Sequence, residues 1–302
     1  MQIKQFRSLL FVPATSEHLW EKASQRGADA VVIDLEDAIP IDKKEVARAM
    51  APTAIHLLKE KGVDVVLRVN SDPTLWQQDL VGMPLQCLCA IMLPKVETKD
   101  QVEVFSQALT KLSSATPPPI AALLETPLGV LATPQIASHA SLCALGFGAE
   151  DYSGAIGVHP NALALTWPAQ QVITGAHAYG LQCWGMAGSI AEVKDLDAFG
   201  KDVEFARGIG FTGSVCIHPN QVAIVNRGFS PSTAELEWAR KVVEADQVAR
   251  DKGLGAVLLD GKMIDKPIVD RAYDKIDEAE YKRQLLEIAE FEQMLADDGV
   301  VL

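Results

Sequence analysis

The stretch GADAVVIDLEDA, at residues 27–38, is a largely apolar run that ends in three acids, Asp34, Glu36 and Asp37. A continuous apolar run is typical of a parallel strand that is covered on both faces, whereas a half-exposed strand alternates apolar and polar residues. Similar runs recur along the chain. The sequence predicts eight strands, at Ser8–Val12, Ala28–Leu35, Asp64–Val69, Leu88–Leu93, Ile120–Leu124, Leu142–Phe147, Leu181–Gly185 and Gly213–Ile217.

Helical segments separate these strands. Clear examples are Glu17–Arg26, Lys43–Glu60, Lys99–Leu112 and Leu196–Arg207, with Ser16 and Asp42 as predicted N-caps of the first two. Alternating strands and helices predict a parallel α/β fold, and eight such units fit a (β/α)₈ TIM barrel. A doubly wound open sheet is the alternative. The chain has no GxGxxG or GxxxxGK[ST] motif after its first strand, which weakens the nucleotide-binding versions of that alternative.

The pattern changes after the eighth strand. We expect residues 1–230 to form the barrel domain and residues 231–302 to form a C-terminal helical extension. Within the extension, Glu235–Lys252 and Asp265–Leu295 read as helices and Ala256–Leu259 as a short strand. This extension is expected to fold over the barrel mouth or to dock on a neighbouring subunit.

Composition excludes several classes of function. The chain has 302 residues and a formal net charge of −13, which argues against nucleic acid or an anionic membrane as the partner. No run is long enough for a membrane span, and the apolar stretch Ser8–Ala14 is too short for a signal peptide. The five cysteines are expected to be reduced, as in a cytoplasmic protein.

Charged residues follow the ends of most predicted strands. Because the active site of a (β/α)₈ barrel lies at the carboxyl ends of its strands, we expect these side chains to converge on one rim. Besides the three acids of the second strand, they are Arg68, Lys95, Glu97, Glu125, Glu150, Asp151 and His218.

Glu125 and Asp151 are the predicted metal ligands of this rim. They end neighbouring strands, about 4.8 Å apart, so both carboxylates can reach one ion. Mg²⁺ usually takes one or two protein carboxylates and fills its other positions with water and substrate. Glu36 and Asp37 can hold metal-bound waters. The alternative for each acid is a structural ion pair.

Arg68 is predicted to lie near the barrel interior, where a guanidinium can stabilise an enolate or another oxyanion. Its structural alternative is a salt bridge to Glu36 or Asp37. Lys95 could form a Schiff base, but an ion pair with a nearby acid is favoured. His218 could act as a base, although a role in ordering the last loop is favoured.

The turn Gly148-Ala149-Glu150-Asp151 is a candidate substrate-binding element. Its backbone N–H groups can bind a substrate carboxylate. A tight turn without a ligand is the structural alternative.

Seven ordered motifs resemble the HpcH/HpaI aldolase superfamily, in its citrate lyase β-subunit-like branch, which includes malyl-CoA, methylmalyl-CoA and citramalyl-CoA lyases. The resemblance extends from Arg7 to about Tyr273. It is carried by SLLFVP (8–13), GADAVVIDLEDA (27–38), RVN (68–70), LPKVE (93–97), LET (124–126), GAED (148–151) and IHP (217–219).

The resemblance implies a (β/α)₈ barrel assembled into homotrimers or hexamers. It implies that Glu125 and Asp151 bind Mg²⁺, with Mn²⁺ as a substitute, and that Arg68 stabilises a thioester enolate. Glu36 and Asp37 match an acidic pair near the metal.

The resemblance also assigns residues outside the rim. The segment DGKMID (260–265) is similar to a C-terminal lid, in which Asp265 would act as acid or base, often in a neighbour's active site. Phe11 and Pro13 lie in the region that members use near coenzyme A. The chain departs from many relatives after the seventh strand, where it reads CWGMAGS (183–189), and before the last motif, where Gly213-Ser214 replaces Gly-Lys.

The predicted activity is retro-Claisen cleavage of a 3-hydroxyacyl-CoA to an acyl-CoA and an α-oxo acid. Malyl-CoA thioesterase or malate synthase activity is one alternative, and the β-subunit of a citrate lyase complex acting on an acyl carrier protein is another. A CoA-independent aldolase and a non-catalytic subunit are disfavoured by the Asp265 segment and by the complete set of Glu125, Asp151 and Arg68.

Overall fold

The strands form a parallel barrel. The computed structural model describes residues 4–113 and 115–277. The barrel strands are β1 Ser8–Pro13, β2 Ala30–Asp34, β3 Val65–Arg68, β4 Ala90–Leu93, β5 Ile120–Leu124, β6 Leu142–Phe147, β7 Gln182–Gly185 and β8 Ser214–Cys216.

The sheet follows chain order and closes on itself. The strands pair in the order β7-β6-β5-β4-β3-β2-β1-β8, and every pairing is parallel. A parallel bridge between Trp184 and Gly213 joins β7 to the segment that leads into β8. The predicted (β/α)₈ architecture is therefore confirmed.

Helices surround this barrel. They are α1 Glu17–Ser24, α2 Lys44–Glu60, α3 Pro73–Asp79, α4 Lys99–Leu112, α5 Pro127–Leu131, α6 Thr133–Ala137, α7 Ala149–Ile156, α8 Ala162–Ala178, α9 Leu196–Ile209 and α10 Pro219–Gly228, with 3₁₀ turns at Ile41–Lys43 and Leu85–Cys87.

Two apolar layers stabilise the barrel. The inner layer fills the lumen and includes Leu9, Val32, Val66, Met92 and Trp184. The larger outer layer lies between the strands and the helices. Because side chains alternate between the two faces of a strand, inward-facing Val32 and Val66 place Asp34 and Arg68 inward as well, at the top of the lumen.

Most predicted element bounds agree with the structure within two residues. One helix start was wrong: Asp42 lies inside the 3₁₀ turn, and Lys43 is the N-cap of α2. The turn continues directly into the helix, so no separate cap forms at Asp42. Ser16 is the N-cap of α1 but makes no side-chain capping hydrogen bond.

The chain divides into two compact units, the first ending at Phe229 and the second beginning at Ser230. The second unit contains α11 Thr233–Asp251, the antiparallel pair β9 Val257–Leu259 and β10 Lys262–Ile264, and a helix over residues 266–277. Ala239, Val242 and Ile264 belong to its own small core. The predicted continuation of the last helix to Leu295 lies outside the described residues.

Within the described part of the chain, no helix has both the length and the apolar character that crossing a membrane requires.

Candidate active site

The carboxyl ends of the barrel strands surround a cavity of about 320 Å³. One side of the cavity is charged and is built by the ends of β2 to β6. The other side is apolar and is built by β7, β8 and β1. The charged lining residues are Asp34, Asp37, Arg68, Glu125, Glu150 and Asp151, and the apolar ones include Phe11, Leu123, Phe147, Trp184, Met186 and Ile217.

Asp34 clamps Arg68 at the centre of the charged side. The register between β2 and β3 sets these two residues side by side. The Asp34 carboxylate accepts hydrogen bonds from Nε of Arg68 at 2.7 Å and from Nη2 at 2.6 Å, the bidentate geometry that makes such pairs strong. The same carboxylate accepts from the backbone N–H groups of Glu36 and Ala38. Asp34 therefore orients Arg68. The sequence placed Asp34 on the rim but assigned it no role, although its inward position on a strand next to that of Arg68 could have indicated one.

The acidic pair completes the environment of Arg68. Nη1 lies 2.9 Å from Oε2 of Glu36 and 3.5 Å from Oδ2 of Asp37, so the salt bridge predicted as the structural alternative is confirmed. The guanidinium also stacks over the Phe11 ring, 4.6 Å from its centroid. Although burial opposes it, the hydrogen bonds and charge of Asp34 raise the pKa of Arg68 above its ordinary value. Arg68 is thus a fixed cation at the cavity wall.

Lys95 lies between the acidic pair that follows β2 and Asp151 at the start of α7. Its Nζ lies 3.0 Å from Oε1 of Glu36, 3.6 Å from Oδ1 of Asp37 and 3.9 Å from Oδ2 of Asp151. Burial opposes protonation, but Glu36 and Asp37 raise the pKa of Lys95 above its ordinary value. An ammonium held in this way is not a free amine, which supports the predicted ion pair over a Schiff base.

Glu125 is the most deeply buried acid on the β4–β6 side, with 4% of its surface exposed. Its Oε1 accepts a hydrogen bond of 2.9 Å from the backbone N–H of Lys95, which adopts a positive φ of 54°. Burial, together with the charges of Glu36 and Asp151, raises the pKa of Glu125 to about 8. Burial likewise raises the pKa of Glu36 to about 7. These carboxylates repel one another across the cavity.

The turn after β6 leads into α7. The N–H of Gly148 is bonded to the Leu124 carbonyl at 3.3 Å, so this amide is not a free donor for a substrate carboxylate, contrary to the prediction. Ala149 and Glu150 lie in the first turn of α7, where backbone N–H groups have no intrahelical acceptor. Glu150 accepts a hydrogen bond from Oγ of Ser189.

A divalent cation fits the acidic side of the cavity. Within residues 4–113 and 115–277, no group of three or more His, Cys, Asp or Glu side chains is arranged to hold a metal ion. Glu125 and Asp151 nevertheless provide two carboxylates at one cavity. Burial and neighbouring acids destabilise the ionised form of such a carboxylate, and a nearby positive charge stabilises it. Hard cations prefer carboxylate oxygens as ligands.

A buried network supports the Leu35–Glu36 turn from behind. The Lys44 ammonium donates to the carbonyls of Leu35 at 2.7 Å and Glu36 at 2.6 Å. Asn70 donates to the same Leu35 carbonyl and to Asp79. These contacts fix the backbone that carries the acidic pair. Lys44 looks like an ordinary surface helix residue in the sequence, and only the packing of α2 buries it.

The last loop is organised by a side-chain cap. Nδ1 of His218 accepts a hydrogen bond from the N–H of Asn220 at the start of α10, which confirms the favoured role in ordering this loop. Gln221 is fully buried and accepts from the N–H groups of Ile217 and His218. Its amide nitrogen donates to the carbonyl of Ile190, so one side chain ties the loops after β7 and β8 together.

Asp265 belongs to the second unit. It directly precedes the helix over residues 266–277 and is exposed. Its backbone carbonyl accepts from the N–H groups of Ile268 and Val269. Within the described part of the chain, no hydrogen bond or ion pair involves its carboxylate.

A closed parallel barrel with a fixed arginine and clustered carboxylates at its carboxyl face is the architecture of a (β/α)₈ enzyme. Residues 7–219 match the model of the HpcH/HpaI aldolase/citrate lyase family, and the chain belongs to that family.

Characterised relatives agree over nearly the full length. The chain is 32% identical over 282 residues to a (3S)-malyl-CoA thioesterase of Cereibacter sphaeroides, covering 92% of this chain and 96% of the relative. It is 30% identical to the citrate lyase β-subunit of Haemophilus influenzae, covering 89% and 95%. Family members of both kinds are enzymes.

A solved structure also matches. The CitE protein of Mycobacterium tuberculosis, in complex with magnesium, acetoacetate and coenzyme A, superimposes with a TM-score of 0.70 at 26% identity. The match covers 91% of this chain and 98% of that one.

Proposed function

We propose that this protein is a Mg²⁺-dependent carbon–carbon lyase that cleaves a 3-hydroxyacyl-CoA to an acyl-CoA and an α-oxo acid. The main support for the proposal is that a fixed cation and a pair of carboxylates line the same cavity. Arg68, fixed by Asp34, faces the same space as the carboxylates of Glu125 and Asp151. A retro-Claisen cleavage needs both a metal-chelating side and a site for negative charge on the thioester fragment.

Glu125 and Asp151 would hold the ion, and Mn²⁺ would substitute for Mg²⁺. When bound, the metal polarises the hydroxyl and carboxylate oxygens of the substrate and orients them. Glu36 and Asp37 would accept hydrogen bonds from its waters. Lys95 lies within 4 Å of Glu36, Asp37 and Asp151, which places these three acids on the same side of the cavity.

Arg68 would stabilise the enolate. When the substrate hydroxyl loses its proton, the C–C bond breaks, its electron pair passes to the thioester carbonyl, and the α-oxo acid separates. The fixed guanidinium is in place for the developing oxyanion before the bond breaks, which lowers the cost of reorganisation. Phe11 covers the guanidinium and reduces its hydration.

Three further assignments complete the proposal, two from the family resemblance and one, the carboxylate site, from the turn after β6. Asp265 would protonate the enolate carbon, in its own chain or a neighbour's. Ala149 and Glu150 would bind the substrate carboxylate through their backbone N–H groups. Phe11 and Pro13 would adjoin the thioester end of coenzyme A, and their place in the cavity lining supports this role.

Thioester hydrolysis is the second candidate function. The observation that favours it is the 32% identity to a malyl-CoA thioesterase across 92% of this chain. A citrate lyase β-subunit acting on an acyl carrier protein is the third candidate, since relatives of that kind match over a similar length. We further propose a homo-oligomer located in the cytoplasm. The five cysteines are unpaired, as expected for a reducing compartment.

The deciding experiment offers malyl-, citramalyl-, methylmalyl- and citryl-CoA to the purified protein with Mg²⁺. A lyase releases an α-oxo acid and an acyl-CoA, whereas a thioesterase releases free coenzyme A and an intact hydroxy acid. Mass spectrometry separates these products. Activity that survives both EDTA and the double change Glu125→Gln plus Asp151→Asn would rule out the metal-dependent mechanism.

A further inference from the structure

The part of the cavity lining that comes from β7, β8 and the loop after β7 carries no charge. Trp184 and Val215 lie at its base, within or against the layer of side chains that fills the lumen. We call this part of the lining the apolar wall, and its side chains are those of Trp184, Met186, Ile190, Val215 and Ile217. In the closed barrel β7 stands four strands from β3, so the apolar wall lies across the cavity from the strand that carries Arg68.

The polar groups of the apolar wall are already bonded within the protein. Among its five side chains, only Trp184 has an N–H group, and this indole N–H donates to Oε1 of Gln182 at 3.1 Å. The backbone N–H of Ile217 donates to Oε1 of Gln221 at 2.9 Å. A carboxylate placed against this wall would therefore find no side-chain donor on it. A buried carboxylate without a partner is strongly destabilised.

The cations at the cavity are held on its acidic side. Arg68 is the only Lys, Arg or His side chain among the described residues that line the cavity. Its Nε and Nη2 donate to Asp34, and its Nη1 lies within 3.5 Å of Glu36 and of Asp37. The Lys95 ammonium lies next to the same acidic pair. Because these contacts occupy most of the donors of both cations, neither can also pair with a carboxylate at the apolar wall.

The chemistry of the substrate determines which of its groups faces this wall. The carbon that bears the hydroxyl has four substituents. In the proposed function the hydroxyl and the carboxylate are held on the side of Glu125 and Asp151. The third substituent leads to the thioester carbonyl and extends towards Arg68. The fourth substituent then points to the remaining side of the cavity, which is the apolar wall.

We propose that the apolar wall selects 3-hydroxyacyl thioesters with an alkyl group on the carbon that bears the hydroxyl. This inference rests on the proposed function and narrows its substrate class. Cleavage then releases an α-oxo acid with one carboxylate and an aliphatic side chain, of which pyruvate is the smallest. A second carboxylate on this carbon, as in a citryl thioester, would meet the apolar wall unpaired. A hydrogen atom there, as in malyl-CoA, would leave the wall without a contact.

Ile190 offers a direct test of the apolar wall. Its side chain is half-buried and lines the cavity. Its backbone carbonyl accepts a hydrogen bond of 2.8 Å from Nε2 of Gln221. Because this bond involves the backbone, Ile190→Lys keeps it while adding an ammonium group to the wall. Val81→Lys is the matched control, since it adds the same charge at a side chain that is 69% exposed and outside the cavity lining.

Isothermal titration calorimetry with 2-oxo acids and Mg²⁺ measures the preference without turnover. The wild-type protein is expected to bind 2-oxobutanoate about fourfold more tightly than pyruvate, the factor that one further buried methylene group contributes. Freshly dissolved oxaloacetate should bind at least about tenfold more weakly than 2-oxobutanoate, because its second carboxylate faces the apolar wall. Ile190→Lys should narrow that difference by roughly tenfold, since the ammonium supplies a partner. Val81→Lys should leave it unchanged.

Cleavage of matched thioesters gives an independent measurement. The kcat/KM for citramalyl-CoA should exceed that for malyl-CoA by about fourfold or more and that for citryl-CoA by at least about tenfold. If none of these thioesters is cleaved while the alkyl 2-oxo acids bind preferentially, the proposed lyase function fails and the selectivity of the wall stands.

Three results would overturn the inference. They are oxaloacetate binding to the wild-type protein as tightly as 2-oxobutanoate, malyl-CoA or citryl-CoA being cleaved as efficiently as citramalyl-CoA, and an unchanged preference in a folded Ile190→Lys variant. If that variant is unstable, the comparisons on the wild-type protein decide.

Discussion

Gly148→Ala tests the packing that seats Glu125. A Cβ added at Gly148 would lie 2.4 Å from Oε2 of Glu125 and 2.5 Å from its Cβ. The second contact is close to the β5 backbone, so rotation of the Glu125 side chain cannot relieve it. To restore ordinary van der Waals separation, Glu125 must move by about 1 Å, which would also lengthen its hydrogen bond to the Lys95 amide.

Two effects of different size follow from that displacement. Overpacking of this kind costs roughly 1–3 kcal/mol, so the free energy of unfolding should fall by about that amount. With Glu125 as the proposed metal ligand, its displacement should weaken Mg²⁺ binding by at least about tenfold, a loss in the range found when the support of a metal ligand is disturbed.

The assay pairs thermal melting with calorimetric titration of Mg²⁺. Gly154→Ala is the matched control, because Gly154 lies in α7, the helix that Gly148 precedes, with no atom within 4 Å of the added Cβ. Alanine is favoured over glycine inside a helix by about 0.5–1 kcal/mol, so this variant should melt slightly higher and bind Mg²⁺ normally. Equal Mg²⁺ affinity in the Gly148→Ala and wild-type proteins would refute the reasoning.

Four further outcomes are expected. Arg68→Lys should reduce turnover by ~10²–10³, since lysine loses the planar fork; a two- or threefold loss would leave Arg68 a structural role only. Lys95→Met should bind Mg²⁺ roughly tenfold more tightly by calorimetry, because a competing cation next to Asp151 is removed; weaker binding would contradict this. Asp265→Asn should keep its melting temperature while turnover falls by ~10²–10⁴, and normal turnover would remove Asp265 from the mechanism. The metal-free protein should lose stability as the pH rises from 4.5 to about 8, because folded Glu125 retains a proton that the unfolded chain releases. Mg²⁺ should raise the melting temperature most at the upper end of that range, and Glu125→Gln should flatten both trends.

The apolar runs of the strands predicted the barrel, and the charged residues that follow those runs predicted most of the side chains around the cavity. The predicted strands at Ile120–Leu124 and Leu142–Phe147 agree residue for residue with β5 and β6. A buried strand leaves a strong local signal, since its whole length is apolar. The site was partly predictable for the same reason, because the charged residue that interrupts such a run marks the carboxyl end of the strand.

The partners of those charged residues could not be predicted in the same way. Arg68 was expected to pair with Glu36 or Asp37, yet its bidentate partner is Asp34. That choice depends on the register between β2 and β3, a tertiary property that one strand's sequence does not encode. Burial of Lys44 beneath the same turn depends likewise on how α2 packs.

Gly146 in β6 and Gly148 just after it show that the reason for a glycine can lie in tertiary packing and not in the local turn. Gly148 was interpreted as part of a turn whose backbone amides bind a substrate carboxylate. In the barrel, Gly146 of β6 lies beside Leu123 of β5, and Gly148 lies beside Glu125, each just after its strand. A Cβ at Gly146 would lie 2.2 Å from the Leu123 side chain, as one at Gly148 would meet Glu125. The two glycines are two residues apart, as are Leu123 and Glu125, so all four positions face the inside of the barrel. Each glycine leaves room for the large side chain beside it. Leu123 and Glu125 can therefore both reach the cavity. The positions of Gly146 and Gly148 thus help to determine where the Glu125 carboxylate lies.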